Sequence, residues 1–138
     1  MTQLNPYLGF GGNAREAMEF YKECLGGDLE IMTFGDSQMG DQTPAEQKNN
    51  VMHSMLKTGS MVLMASDMMD PGDIVVGNNI SICIVGDSKE AIEGYFAKLS
   101  EGGKVGHELK EEFFGTYGDL TDKFGVNWMF QADSEDKE

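Results

Sequence analysis

Apolar positions fall into short segments divided by glycines, and the arrangement occurs twice along the chain. Pro6–Phe10 is a short apolar run that stops at Gly11-Gly12 and predicts a strand. Asn13 stands where a helix N-cap belongs, with Glu16 three residues on, the spacing of a capping box. Ala14–Leu25 sets Ala17, Phe20, Tyr21 and Leu25 on one face of an amphipathic helix, which Gly26-Gly27 ends. Asp28–Phe34 reads as a strand through Leu29 and Ile31. Gly35–Asn50 is polar and predicts a long loop with one helical turn at Pro44–Lys48; loops beyond about 12–15 residues are often functional lids. Val51–Lys57 and Met61–Ala65 predict a hairpin turned at Thr58-Gly59-Ser60.

After a connector, Asp67–Asn78, the pattern restarts. Asn79–Val85 is an apolar strand, and Ser88–Ser100 a helix with Ala91, Ile92, Tyr95, Phe96 and Leu99 as its apolar positions. Gly102-Gly103 ends that helix, and Lys104–Leu109, Phe113–Thr121 and Val126–Gln131 follow as strand candidates. Gly12-Asn13-Ala14-Arg15-Glu16-Ala17-Met18-Glu19 aligns with Gly86-Asp87-Ser88-Lys89-Glu90-Ala91-Ile92-Glu93, and Tyr21 with Tyr95. Each half therefore reads strand, helix, strand, strand, strand. One such unit cannot bury both faces of its four-stranded sheet, whereas two copies can pair around a cleft. The expected organisation is one domain over residues 1–132, built of repeats 5–67 and 79–132, with an acidic tail at 133–138.

Length agrees with that picture: 138 residues make one ordinary domain that needs no disulfide or metal to fold. Net charge is −14, which speaks against DNA, RNA or an anionic membrane as partner, because phosphate binding needs a basic surface. Cys24 and Cys83 are far apart and form no Cys-x-x-Cys motif, so a reducing cytoplasm fits best. No apolar stretch reaches the ~18 residues of a membrane-spanning helix, and MTQLNPYLGF lacks the basic start and apolar core of a signal peptide. Six of the 11 methionines, Met52, Met55, Met61, Met64, Met68 and Met69, crowd one stretch; they suit either an irregular core or an adaptable pocket.

The run Gly12-Asn13-Ala14-Arg15-Glu16-Ala17-Met18-Glu19-Phe20-Tyr21 with Leu25-Gly26-Gly27 resembles the PhnB-like family of the vicinal oxygen chelate superfamily. Met52-His53-Ser54-Met55-Leu56, Leu63-Met64-Ala65-Ser66-Asp67 and Leu120-Thr121-Asp122-Lys123-Phe124-Gly125-Val126-Asn127-Trp128-Met129 carry the same resemblance, which spans residues 5 to 132. It implies an α+β fold of two βαβββ repeats forming paired half-barrels, glyoxalase/bleomycin resistance/dioxygenase-like, and commonly a homodimer. The superfamily's metal enzymes place His or Glu in the middle of four strands. The corresponding windows here, Asn5–Leu8, Val62–Ala65, Asn79–Ile82 and Trp128–Gln131, hold no His, Asp, Glu or Cys. A catalytic divalent ion needs several N or O donors, so the expectation is no metal or other cofactor, except at an atypical site. A methyltransferase reading, attached to some relatives, wants a glycine-rich turn for its nucleotide-like donor; Gly9-Phe10-Gly11-Gly12 lacks the full fingerprint.

Two side chains are candidates for catalysis. His53 lies in a strand between methionines, where an imidazole suits proton transfer or an anionic ligand; a structural histidine is the competing reading. Glu112, beside Phe113 and Phe114, is a carboxylate that burial would make a weaker acid; a solvated strand edge is the competing reading. Met55, Met64, Ser66, Phe114, Tyr117 and Trp128 are candidate ligand contacts, the aromatic ones as walls for a planar molecule, with core packing as their alternative. Asp67 is expected to cap the turn that follows it, Cys83 to be buried and inert, and His107 to face water. The leading expectation is a small-molecule-binding protein. A lyase or isomerase using His53 and Glu112, and a structural dimer with a filled cleft, are the alternatives.

Overall fold

The structure, a computed structural model, describes residues 2–38 and 40–133. The acidic tail from residue 134 on lies outside the described residues. The elements run β1 (Tyr7–Phe10), α1 (Ala14–Leu25), β2 (Asp28–Thr33), β3 (Val51–Thr58), β4 (Met61–Asp67), β5 (Ile82–Gly86), α2 (Lys89–Leu99), β6 (Lys104–Glu112), β7 (Gly115–Thr121) and β8 (Asn127–Ala132). The chain divides between Val75 and Val76, inside the predicted connector, into two compact units. Each unit is a βαβββ module. The sheets have orders β1-β4-β3-β2 and β5-β8-β7-β6. In both, the first strand pairs in parallel with the last, and the other pairs are antiparallel. The fold is therefore α+β with two βαβββ repeats.

Alternation along the strands decides what each sheet face does. In the first unit Phe10, Leu56, Leu63 and Ala65 point to α1 and are buried with its Ala17, Met18 and Tyr21. In the second, Ile84, Leu120, Trp128 and Phe130 meet Ile92, Phe96 and Leu99 of α2, and the Phe96 and Phe130 rings stand edge to face at 5.1 Å. Full burial of a large apolar side chain is worth about 1.5–3 kcal/mol, so these two faces hold the modules together. The opposite face of each sheet carries no helix of its own unit, and its side chains remain partly or fully exposed.

The helix-ending glycine pairs serve the same purpose in both units. Gly27 has φ 96 and a Cβ there would run into the Lys57 carbonyl; a Cβ at Gly103 would run into that of Thr121. The chain thus turns from helix into β2 or β6 hard against the neighbouring strand, at equivalent places.

Several boundaries differ from the sequence expectation. The Gly35–Asn50 loop holds the expected turn, a 3-10 turn at Ala45–Gln47 flanked by Pro44 and Lys48, and a second one at Gly40–Gln42. β5 begins at Ile82, not Asn79, because Asn127 Nδ2 donates to the Gly77 and Ile80 carbonyls and fixes that stretch outside the ladder. β6 runs on to Glu112, and Phe113-Phe114, expected to open a strand, form the two-residue turn between β6 and β7, closed by Gly115 at φ 131.

The start of α1 is also different. Asn13 makes no side-chain cap bond. The buried Asp67 carboxylate does that work from the end of β4: Oδ1 accepts from the Gly12 and Ala14 amides at 2.8 and 2.9 Å, and Oδ2 from Val51 N at 2.8 Å. Asp67 therefore does not cap the following turn, which Asp70 caps through Gly72 N. In the second unit the helix cap is local: the Ser88 hydroxyl accepts from Ala91 N at 3.2 Å.

Candidate functional site

Strand register sorts the open faces into matched rows. In the first unit one row runs Tyr7, Met64, Met55, Glu30 through successive Cα partners. The next row holds Gly9 and Ser66, then His53 and Met32. In the second unit the corresponding rows are Cys83, Met129, Asp119, His107 and Val85, Gln131, Tyr117, Lys110. Of the candidates, His53, Met55, Met64 and Ser66 share the first face, while Tyr117 and Glu112 belong to the second unit. His53 and Glu112, paired in the acid–base expectation, thus lie in different units.

On the first face the polar centre is a pair. The Tyr7 hydroxyl and His53 Nδ1 are 3.0 Å apart, and the rings lie 5.8 Å centroid to centroid. Tyr7 reaches diagonally over β4 to make this bond; Met64 and Met55 stand in its row, and Met32 is the Cα partner of His53. Tyr7 was not singled out in the sequence; its partner is 46 residues away, beyond any local pattern.

The second face has a longer polar chain. Asp119 Oδ2 accepts the Tyr117 hydroxyl at 2.7 Å and lies 2.9 Å from His107 Nδ1. Partial burial works to raise the Asp119 pKa, but the hydrogen bonds from Tyr117 and His107 outweigh it and hold the carboxyl below its ordinary value. Tyr117 is pushed up to about 12, first by its hydrogen bond to Asp119, then by desolvation and by the charges of Asp119 and Cys83. The phenol therefore stays a donor. Asp119 escaped the sequence reading, although Tyr117 and Asp119, two apart in a strand, had to share a face. His107 is 76% exposed, as a water-facing residue should be, yet its ring is tethered.

Two open recesses meet at Gly106 and Tyr117. One of about 340 Å³ is lined by Ser81, Lys104, Asp119, Thr121 and Met129. The other, about 480 Å³, is lined by His107, Leu109, Lys110 and Glu112. Phe114 stands at the hairpin tip with its ring 6.4 Å from that of Tyr117. Trp128 does not join them. It is 1% exposed, faces α2, and donates its indole N–H to Asp122 Oδ2 at 2.8 Å, so it is a core residue and not a ligand wall. Cys83, expected to be buried, is exposed: with β5 starting at Ile82, alternation sends Ile84 to the helix and Cys83 to the open face. Desolvation by its neighbours raises the thiol pKa.

The superfamily's divalent ion can be tested against these positions. In the first unit β1 and β4 offer Tyr7 and Met64 on the open face, and in the second β5 and β8 offer Cys83 and Met129. Two thioethers, a thiol of raised pKa and a phenol are a poor donor set for a hard divalent cation. Among the described residues no three His, Cys, Asp or Glu side chains gather to hold a metal ion. The residues at these positions do not fit the group.

Residues 2–131 match the family described as 3-demethylubiquinone-9 3-methyltransferase. Protein YjdN of Escherichia coli K12 is 31% identical, with 94% of each chain covered. Among solved structures, protein PA1353 of Pseudomonas aeruginosa is 40% identical with a TM-score of 0.84, covering 98% of this chain and all of that one. The PhnB protein of Bacillus cereus is 25% identical, TM-score 0.76, covering 95% and 99%. A glyoxylase/bleomycin resistance protein/dioxygenase domain from Frankia sp. EAN1pec, 11% identical over 96% and 98% of the chains, shares the fold with a TM-score of 0.67. The chain belongs to the PhnB-like family described as 3-demethylubiquinone-9 3-methyltransferase, and it shares the fold of the glyoxylase/bleomycin resistance protein/dioxygenase domain.

Proposed function

We propose that this PhnB-like chain is a small-molecule-binding protein whose ligand lies on the open sheet faces and is held without a resident divalent cation. The observation that carries the reading is the Tyr7–His53 pair at 3.0 Å, set among Met32, Met55 and Met64. A binding site needs apolar wall for burial and a few fixed polar groups for orientation, and this face supplies both. Methionine side chains adapt their shape to what they touch. His53, Met55, Met64 and Ser66 are the first unit's ligand contacts in this reading, with Tyr7 added. Tyr117, Phe114 and Glu112 are the second unit's. The donor set at the superfamily's metal positions supports the cation-free form.

Methyl transfer, named in the family's description, does not enter the reading. A nucleotide-like donor at the Gly-rich turn before α1 would need its amides, and the Asp67 carboxylate already takes those of Gly12 and Ala14. A homodimer follows the family resemblance, and a solution mass near twice 15.2 kDa is the expected result. Two free cysteines suit a reducing cytoplasm. Among the described residues no helix is long and apolar enough to cross a membrane.

The test is a thermal-shift series with aromatic, quinone-like and phosphonate compounds. A ligand at about 100 times its Kd stabilises by ~2.7 kcal/mol, an upward shift of several degrees. His53→Ala should fold and lose the response. If no compound of any class raises the melting temperature, the protein is not the binder described.

A further inference from the structure

We propose that His107, Asp119 and Tyr117 form a site on the β6–β7 ribbon that takes a planar ligand with an acidic hydroxyl, a phenol or an enol, and accepts its proton at His107 Nε2. This rests on the small-molecule reading and adds the ligand's chemical class and the accepting atom.

The tautomer is fixed by the neighbours. Asp119 already receives the Tyr117 hydroxyl on Oδ2, and its low pKa keeps it an ionised acceptor. The contact of 2.9 Å with that oxygen therefore puts the imidazole hydrogen on Nδ1. In the neutral ring Nε2 then bears the lone pair, and no hydrogen bond from within the described residues reaches it. The ring is exposed but held, with Asp119 behind it to balance the imidazolium that proton uptake creates.

An aromatic wall comes from a row of rings along the ribbon, each tilted or edge-on to the next. Centroids of His107 and Tyr117 are 6.4 Å apart, those of Tyr117 and Phe114 6.4 Å, and those of Phe114 and Phe113 5.2 Å. Phe113 is 97% exposed at the tip. The recess of about 480 Å³ beside them accepts a single-ring molecule.

Charge selects the ligand's protonation state on arrival. Lys110, the Cα partner of Tyr117, shares the recess with His107, but so do Glu108 and Glu112. The chain as a whole carries −14. A permanent anion such as a carboxylate or phosphate meets repulsion here, whereas a neutral weak acid arrives without it and ionises in place. The ligand O–H bond breaks, the proton passes to Nε2, and the oxygen keeps the electron pair as a phenolate facing the imidazolium and Lys110.

4-Nitrophenol tests this directly, because its phenolate absorbs where the phenol does not. The full chain is titrated in buffer below the probe's own pKa. The expected result is a saturable rise of the phenolate band. His107→Gln, at an exposed position, should keep the fold and lose the band, with affinity down about tenfold or more for one charge-assisted hydrogen bond. Asp119→Asn should weaken the band, circular dichroism confirming the fold. Phe114→Ala should weaken binding while each bound probe is still ionised. A band unchanged in His107→Gln, or saturable binding with no band, overturns the inference. So does a failure of nitrophenol to bind while other compounds raise the melting temperature, a result that leaves the small-molecule reading standing. A protein that responds to no compound overturns both.

Discussion

The two open faces occupy matching ladder positions and carry different chemistry. Tyr7, Met64, Met55 and Glu30 on the first face stand where Cys83, Met129, Asp119 and His107 stand on the second. His53 answers to Tyr117, and Met32 to Lys110. The first face is thus a methionine bed with one tyrosine–histidine pair. The second is a polar chain in which a carboxylate joins a tyrosine to a histidine. The two modules share the backbone frame, down to the glycines that turn each helix into its next strand, and differ in their exposed rows. The buried anchors differ too. A carboxylate at the end of β4 holds the start of α1 in the first unit. In the second, α2 is capped by its own Ser88, and the buried Asp122 collects the Phe124 and Val126 amides and the Trp128 indole.

The largest expected effect is at the first anchor. Asp67→Ala removes the acceptor of three backbone amides, two of them from the α1 entry, and should cost about 4 kcal/mol in a urea unfolding titration. A loss under about 1 kcal/mol would mean that water replaces the carboxylate and that the anchor is not what joins β4 to the helix. The second anchor is smaller: Trp128→Phe deletes one buried bond to Asp122 and should cost about 2 kcal/mol by the same measurement.

Helix caps sharpen the contrast. Ser88→Ala should destabilise by about 1 kcal/mol, the usual worth of an N-cap hydroxyl. Asn13→Ala should cost about 0.3 kcal/mol or less, because Asn13 makes no cap bond. Equal losses for the two variants would contradict the division of labour between Asp67 and Ser88.

The smallest expected effect is a titration. Tyr117, pushed up to about 12 first by its bond to Asp119, should ionise well above the ordinary tyrosine range when the phenolate absorbance is followed with pH. Its folded pKa is raised, so its contribution to stability is complete below the unfolded value of about 10 and is lost as pH rises through the folded one. Asp119 runs the other way: its folded pKa is lowered, so its contribution is present above the unfolded value and lost as pH falls through the folded one. Asp119→Asn should return the late tyrosine toward its ordinary range.

Local rules read most of the frame. The period of apolar residues placed both helices, and the glycine pairs placed their ends, because those signals act within one or two turns. Signals that span the chain were not legible. The cap of α1 comes from Asp67, 53 residues beyond Ala14, so Asn13 and Glu16 mimicked a capping box that the side chains do not form. Cys83 sits in a continuous apolar run, where alternation names no face until the strand's first residue is known. That start, Ile82, is set by Asn127 from β8. At the site, His53 and its methionine neighbours could be placed from one strand's alternation. Tyr7 and Asp119 could not be matched to their histidines, since only the ladder register brings them together.

The central claim is that the methionine-framed face around Tyr7 and His53 receives a small molecule. Spectra of methyl-labelled methionine test it most directly, since Met55 and Met64 lie on that face and Met18 is fully buried in the core. With a compound that raises the melting temperature of the native chain but not of His53→Ala, the Met55 and Met64 methyl signals should move together and saturate while Met18 stays in place. Such a ligand leaving Met55 and Met64 unmoved would contradict the account.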